Sequence, residues 1–326
     1  MIAVDPQLSP GRSARARSII TAAVAVIMLG AAVAVLVHHR ADLGSAISSA
    51  RQAPAWMLAV AIGLPILNWM FSTWTFWLLT RRVGNVSFAE MAALMGASWL
   101  ANYLPLKPGL AGRVAYHRAV HGIPVAASSV VIVQALLLGV TATAALIGVT
   151  LAISRAWLGG LGPGLVAAAL LALLAFAVFH GRVLTRVGAG SPSPVLPTLL
   201  AGFAARLGDA AVWVVRYWLA FQIIGSPVTT VQAAALAAIG QAVACLPVVG
   251  SALGVREWSV AALASVLPSA GRSQRALSAG LVADLVNRAV ELVLAIVIGL
   301  ASTAWLAAKA RRSARSPADP SAPTVP

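Results

Sequence analysis

The chain has 326 residues, of which 60% are hydrophobic and only 10% are charged, and its mean hydropathy is +0.91. An ordinary soluble domain carries about 25% charged residues, so this composition excludes a soluble globular protein and predicts a helical membrane protein with several spans. The net charge of +15 comes mostly from arginines and lysines in short loops and tails. That distribution is typical of membrane topology and argues against nucleic-acid binding.

The N-terminal part of the chain predicts two spans. Residues 1–17 form a polar, basic tail, and residues 18–37 form an apolar run that is long enough to cross a bilayer and longer than the core of a signal peptide. Residues 38–54 are interpreted as a polar loop and residues 55–79 as a second span. Asn68 lies inside this second span, where a hydrogen bond between helices is its expected role.

The middle of the chain predicts a short helix, an amphipathic segment and then two long spans. Residues 88–104 form a short apolar helix, and residues 105–124 are amphipathic and basic. The third and fourth spans are predicted at 125–153 and 160–180. His117 and His121 lie four residues apart, and we interpret them as a solvated loop face and not as a metal site; no metal or cofactor is expected.

The second half holds charged residues inside apolar segments. The segment 195–223 is the fifth span, 229–247 and 254–268 are too short to cross, and 276–308 is the last span. Intramembrane charges face the interior of a helix bundle by default. Both a transport pathway and ion pairing between helices are consistent with these residues. They are Arg206, Asp209 and Arg216 in the fifth span, and Asp284, Arg288 and Glu291 in the last.

Spacing within these two helices predicts pairs. Arg206 and Asp209 are three residues apart and share a helix face. Arg288 lies four residues after Asp284 and three before Glu291, which predicts a ladder of acid, base and acid on one face.

Two motifs interrupt the apolar pattern with proline and glycine, at residues 102–113 and 246–257. Each contains Leu-Pro, continues through glycine and reaches an arginine. Paired interruptions in the two halves of a chain are typical of internally repeated transporters, although two ordinary polar loops fit as well. The motif residues are Asn102, Pro105, Gly109 and Arg113 in the first, and Pro247, Gly250, Gly254, Arg256 and Glu257 in the second.

The positive-inside rule favours re-entrant motifs. If both motif segments enter and leave on one side, about six full spans remain, and most basic residues of loops and tails are cytoplasmic together with both termini. The fold class predicted is therefore all-α: one transmembrane domain over residues 18–308, with two broken motifs in a possible inverted repeat. Residues 309–326 are predicted to be a basic tail followed by a disordered Pro/Ser/Ala-rich stretch.

At its motifs the sequence resembles the lysylphosphatidylglycerol synthase transmembrane-region family, over roughly residues 18–308. The first family motif is matched by Asn102, Pro105, Gly109, Arg113 and Gly122-Ile123, but Leu110 stands where the family has glutamate. The second is matched by Leu246, Pro247, Gly250, Gly254, Arg256 and Glu257, and Arg288 matches a later arginine of the family.

The resemblance implies lipid handling. In the synthases this region is regarded as a flippase for aminoacylated phosphatidylglycerol, while a separate soluble domain transfers the amino acid. That soluble domain has no counterpart in this sequence, so no synthase activity is implied.

We therefore expect a flippase-like translocase of a phospholipid or lipid-linked head group in the bacterial inner membrane, with the charged and motif residues above as its pathway. The alternative is a non-transporting accessory subunit that holds a cell-envelope synthase or glycosyltransferase, and a homo-oligomer fits either reading. An intramembrane enzyme is disfavoured because the sequence contains no His-Glu-x-x-His or Gly-x-Ser-x-Gly motif. It contains no nucleotide-binding P-loop motif either.

Overall fold

The structure is a computed structural model that describes residues 40–104, 108–153, 195–245, 254–267 and 273–315, together with helical positions 164, 167 and 171. Within these residues all regular structure is α-helical, as predicted. The predicted first span, 18–37, and nearly all of the fourth, 160–180, lie outside the described residues. The helices are α1 (Arg40–Gln52), α2 (Ala55–Thr80), α3 (Phe88–Ala101), α4 (Pro108–His121), α5 (Val125–Ile153), α6 (Val195–Ile223), α7 (Thr230–Cys245), α8 (Val255–Val266) and α9 (Ser273–Arg315).

Four of the described helices are long and apolar enough to cross a membrane, namely α2, α5, α6 and α9. They coincide with the predicted second, third, fifth and last spans, because a run of about twenty apolar residues leaves little freedom in where a span lies. Helices α3 and α7 are apolar but shorter, as the predicted broken motifs require.

Two boundaries differ from the prediction. Residues 40–52, interpreted as part of a polar loop, form helix α1, which packs against α9. Its polarity suggested a loop, but Ala50 packs on the cluster formed by Leu64 and Leu219. Helix α9 begins at Ser273, three residues before the predicted start of the last span, and continues through the basic residues to Arg315.

Each motif lies in a helical hairpin, α3–α4 for the first and α7–α8 for the second, and the two hairpins begin in the same way. Ser87 accepts a hydrogen bond from the backbone N–H of Glu90 at the start of α3. At the start of α7, Thr229 and Gln232 bond each other's backbone N–H groups reciprocally. This is the capping-box spacing of Ser/Thr-x-x-Glu/Gln, so each hairpin opens on a locally defined helix start.

Helix α9 is the element on which both hairpins pack. Near its start, Gly280 lies so close to α8 that an added Cβ would be 2.7 Å from the Cα of Ala261. Further along, Gly299 lies against Leu100 of α3. These two contact points are about 28 Å apart along the helix, which is close to the thickness of a hydrocarbon core.

The hairpins converge between those contact points. Helix α3 begins beside Lys309, whose Nζ lies 2.7 Å from Glu90 Oε2, and its far end brings Tyr103 to Arg288 of α9. Helix α8 continues in the same direction along the other half of α9, from Glu257 beside Arg288 to Ala261 beside Gly280, so the second hairpin lies on the Gly280 side of the middle. The two motifs therefore meet at the middle of α9 from its opposite ends, as the inverted-repeat prediction requires.

Candidate functional site

A buried cluster of charged side chains lies where the two hairpins meet. Its members come from α6, α8 and α9 and are each less than a tenth exposed: Asp209, Arg216, Arg256, Glu257, Asp284, Arg288 and Glu291. Charged groups at this depth are costly unless they are paired. The sequence predicted all seven as site residues, and the structure brings them together.

Glu291 is the centre of the cluster. Its carboxylate lies 2.7 Å from Arg216 Nη2 of α6, 3.3 Å from Arg256 Nη1 of α8 and 3.9 Å from Arg288 Nη1 of α9. One acid thus links three helices through three guanidinium groups.

Asp284 forms a second node. Arg256 donates through Nε to Asp284 Oδ2 at 3.1 Å, and the Tyr217 hydroxyl donates to Asp284 Oδ1 at 2.6 Å. The predicted ladder on α9 is thus only partly seen, because the acid at position 284 reaches across to α8 and α6.

The signature of the second motif explains the position of α8. Gly254 has a φ of +82°, a conformation that side chains other than glycine rarely adopt, and it turns the chain into α8. The next turn places Arg256 on Glu291 and Glu257 Oε1 3.2 Å from Arg288 Nε. The motif residues Pro247 and Gly250 lie outside the described residues.

A polar chain along α6 and α2 extends the cluster. Asn68 donates to Asp209 Oδ1 at 2.7 Å and accepts from Arg216 Nη1 at 3.0 Å. Arg206 lies 3.5 Å from Asp209 and donates to Ser72 Oγ at 3.1 Å. Both predictions for this region, the Arg206–Asp209 pair and the interhelical role of Asn68, are confirmed.

The first motif closes the site from the other side. Gly109 of α4 lies directly against the Ser98 carbonyl group and the Asn102 side chain of α3, with no room for a Cβ. Ser98 donates to the Gly109 carbonyl oxygen at 3.0 Å. This close approach holds Arg113 of α4 over the ring of Phe76 at 4.2 Å. Pro105 lies outside the described residues.

A polar cavity of about 210 Å³ lies beside the cluster, between α2, α3, α4, α6 and α9. Asn68, Ser72, Asn102, Arg113, Asp209, Arg216 and Glu291 line it together with Trp69, Trp99 and Trp213. Trp213 also forms one wall of the cluster, because the guanidinium groups of Arg216 and Arg256 lie over its ring at 4.0 and 5.2 Å.

A second polar group, which sequence reasoning missed, joins α3, α4 and α9 at the far end of the hairpin. Glu90 accepts from the Tyr116 hydroxyl at 2.6 Å and lies 3.0 Å from His121 Nε2 and 2.7 Å from Lys309 Nζ. Burial raises the pKa of Glu90, but these three partners outweigh it and hold the pKa below its usual value. An acid inside the capping box of an apolar helix was the available signal.

The interpretation of His117 and His121 as a solvated face is wrong. His117 is buried, and its Nδ1 lies 2.8 Å from Ser128 Oγ of α5, while His121 contacts Glu90. Helical spacing placed the two on one side of α4 but did not reveal that α5 and α3 cover that side.

These features define a multi-pass helical membrane protein with a buried site of arginines and carboxylates at the meeting point of two helical hairpins. The profile of the lysylphosphatidylglycerol synthase TM region matches residues 19–299, and the chain belongs to this family. Among curated proteins, no match to the chain is found.

Proposed function

We propose that the protein is a translocase for a phospholipid or a lipid-linked head group in the bacterial inner membrane, with both termini in the cytoplasm. The family connects the chain to lipid modification or flipping. The observation that carries the proposal is the polar cavity bordered by Arg216, Asp209 and Glu291 at the middle of a membrane-spanning helix.

A head group crossing a bilayer loses its hydration, and the cost is large unless other polar groups replace the water. The cavity supplies such groups as amide, hydroxyl, guanidinium and carboxylate side chains. At about 210 Å³ it is smaller than the usual 300–1,000 Å³ of a pocket for a whole drug-sized ligand. It therefore suits a head group whose acyl chains stay in the surrounding lipid.

The charged cluster offers a way to exchange partners during passage. Guanidinium groups bind phosphate and carboxylate with similar geometry. Because Arg216, Arg256 and Arg288 share Glu291, one of them can turn to a phosphate while the others keep the carboxylate neutralised. Such an exchange passes a head group along the cluster without leaving a buried charge unpaired.

The experiment uses thiol modification after folding, so that a block of transport is separated from misfolding. In a Cys245→Ala background, Ser72→Cys places a thiol on the cavity wall, and Ser129→Cys places one on an exposed position of α5. Each purified protein is reconstituted into liposomes that contain fluorescent phosphatidylglycerol, and the fraction of lipid that becomes accessible to a membrane-impermeant quencher is followed over time.

We expect lipid movement with both unmodified proteins and its loss after a charged methanethiosulfonate reagent reacts with Ser72→Cys, while modified Ser129→Cys continues to move lipid. If folded protein moves no lipid in a panel of anionic, zwitterionic and aminoacylated phospholipids, the translocase is refuted and the accessory-subunit function takes its place. Equal inhibition at both positions would refute the cavity as the pathway.

A further inference from the structure

Arg113 differs from the other buried arginines of the site. Its side chain is 4% exposed, yet none of the ion pairs among the described residues includes it. Its Nη1 donates to the sulfur of Met95 at 3.1 Å, and its Nε has no hydrogen-bond partner. A thioether is a weak acceptor, and the Phe76 ring beneath the guanidinium carries no net charge, so this cation is held without the carboxylate that a buried guanidinium normally has.

The cluster together with Arg206 and Arg113 carries one more positive than negative charge. Each of the carboxylates Asp209, Glu257, Asp284 and Glu291 lies within ion-pairing distance of an arginine. Arg206, Arg216, Arg256 and Arg288 are those arginines, which leaves Arg113 as the excess positive charge of the described site.

A second unsatisfied donor lines the same cavity. Trp69 Nε1 is buried without a hydrogen-bond partner, and both Trp69 and Arg113 line the polar cavity. An indole N–H only donates, and a guanidinium only donates. Two buried donors without acceptors, one of them charged, are complementary to an anion with several acceptor oxygens.

We propose that Arg113 holds the phosphate of the transported head group and that the site selects head groups of net negative charge over zwitterionic and aminoacylated ones. This inference rests on the proposed function, which leaves the charge of the head group open. A phosphodiester would satisfy both donors and cancel the excess charge. An added ammonium group would restore that excess in a site where burial makes it expensive.

Leu110 is the position on α4 at which this charge balance can be tested. It lies three positions before Arg113 in the same helix, and side chains three apart are neighbours on a helix surface. A glutamate there would pair with Arg113 and remove the excess charge. Leu110→Glu therefore tests the charge balance without removing any group that is now present, and Leu110→Gln is its uncharged control.

Binding of soluble short-chain lipids to the full-length protein in detergent measures selectivity independently of transport. The probes are dihexanoyl-phosphatidylglycerol, its lysyl ester and dihexanoyl-phosphatidylcholine, with glycerol 3-phosphate and inorganic phosphate as lipid-free anions. Titration calorimetry gives Kd for the wild type, Arg113→Gln, Leu110→Glu and Leu110→Gln.

For the wild type we expect phosphatidylglycerol to bind about tenfold or more tightly than the other two lipids, the size of one charged hydrogen bond. Arg113→Gln and Leu110→Glu lose that preference, and Leu110→Gln keeps it. Arg113→Gln also keeps or raises the unfolding temperature, because it removes an unpaired buried charge. If Arg113→Gln does not fold, the selectivity of Leu110→Glu alone tests the proposal.

Equal affinity of the wild type for phosphatidylglycerol and its lysyl ester would overturn the proposed selectivity and leave the translocase standing. Unchanged selectivity in Leu110→Glu would also overturn the proposed selectivity and leave the translocase standing. Glycerol 3-phosphate or inorganic phosphate binding as tightly as phosphatidylglycerol, with loss in Arg113→Gln, would support the anion site while overturning a lipid as its ligand.

Discussion

Arg216 Nη2 lies 2.7 Å from Glu291 Oε1, and this contact joins the last third of α6 to the middle of α9. Both side chains are buried. Glu291 also lies within 4 Å of Arg256 and Arg288, so a single carboxylate balances guanidinium groups from three helices. Its removal affects the whole site and not one pair.

Glu291→Gln is therefore expected to destabilise the protein strongly. Removing one partner of a buried ion pair costs about 3–5 kcal/mol, and here the loss leaves excess positive charge among three arginines. Thermal unfolding in detergent should show a clearly lower midpoint for Glu291→Gln and a smaller change for Glu291→Asp, which keeps the charge. Equal midpoints for Glu291→Gln and the wild type would show that this carboxylate does not hold the helices together.

The Glu257–Arg288 pair couples α8 to α9, and a double-mutant cycle measures that coupling. Glu257→Gln and Arg288→Gln each leave a buried charge with fewer partners, so each single variant should be destabilised. The double variant should lose less than the sum of the two, by about 0.5–3 kcal/mol, as residues in one network do. Unfolding by denaturant gives the free energies of the wild type and of the three variants. Additive losses would mean that the 3.2 Å contact contributes no coupling.

The sequence predicted the features that lie within a single helix, namely helix bounds and contacts between residues of the same helix. The bounds of α5 and α6 follow from the length of their apolar runs, and the Arg206–Asp209 contact follows from a spacing of three residues.

Contacts between helices could not be predicted in the same way. Asp284 and Arg288 lie four apart on α9, but Asp284 bonds Arg256 and Tyr217 from α8 and α6, and Arg288 bonds Glu257. Spacing shows which side chains share a face but not which neighbouring helix that face meets. The burial of His117 was missed for the same reason, whereas the helix Arg40–Gln52 was missed because its polarity suggested a loop.

Gly109 and Gly112 offer a matched test of how the first motif hairpin closes. Both lie in α4, but a Cβ at Gly109 would overlap the Ser98 carbonyl oxygen and lie 2.6 Å from Asn102 Oδ1, whereas a Cβ at Gly112 meets nothing within 4 Å. Gly109→Ala should push α4 away from α3, lower the unfolding temperature and displace Arg113 from the cavity. Gly112→Ala should be neutral or slightly stabilising, because alanine favours a helix by up to about 1 kcal/mol over glycine.

Thermal unfolding of the two variants, together with their affinity for dihexanoyl-phosphatidylglycerol, separates these outcomes. A Gly109→Ala protein that matches Gly112→Ala in both measurements would contradict the close approach of α3 and α4.

His117 gives the protein a defined response to acid. Burial, followed by the nearby positive charge of Arg113 and by His121, lowers the pKa of His117 to about 4 from its ordinary 6.5, although Glu90 acts in the opposite direction. Between these two values the unfolded chain binds a proton that the folded protein does not. The stability associated with neutral His117 is therefore complete above pH 6.5 and declines as the pH falls towards 4, by up to about 1.4 kcal/mol per pH unit.

His117→Gln removes this titration while its amide can still bond Ser128, so its stability should depend less on pH. Unfolding free energies measured between pH 6.5 and 5, above the range in which most carboxylates titrate, should fall more steeply for the wild type than for His117→Gln. His121→Gln serves as the comparison, because it alters the Glu90 group of contacts and leaves His117 in place. Parallel pH profiles for the wild type and His117→Gln would mean that His117 accepts a proton as readily in the folded protein as in the unfolded chain, and the burial of its ring against α5 would then be wrong.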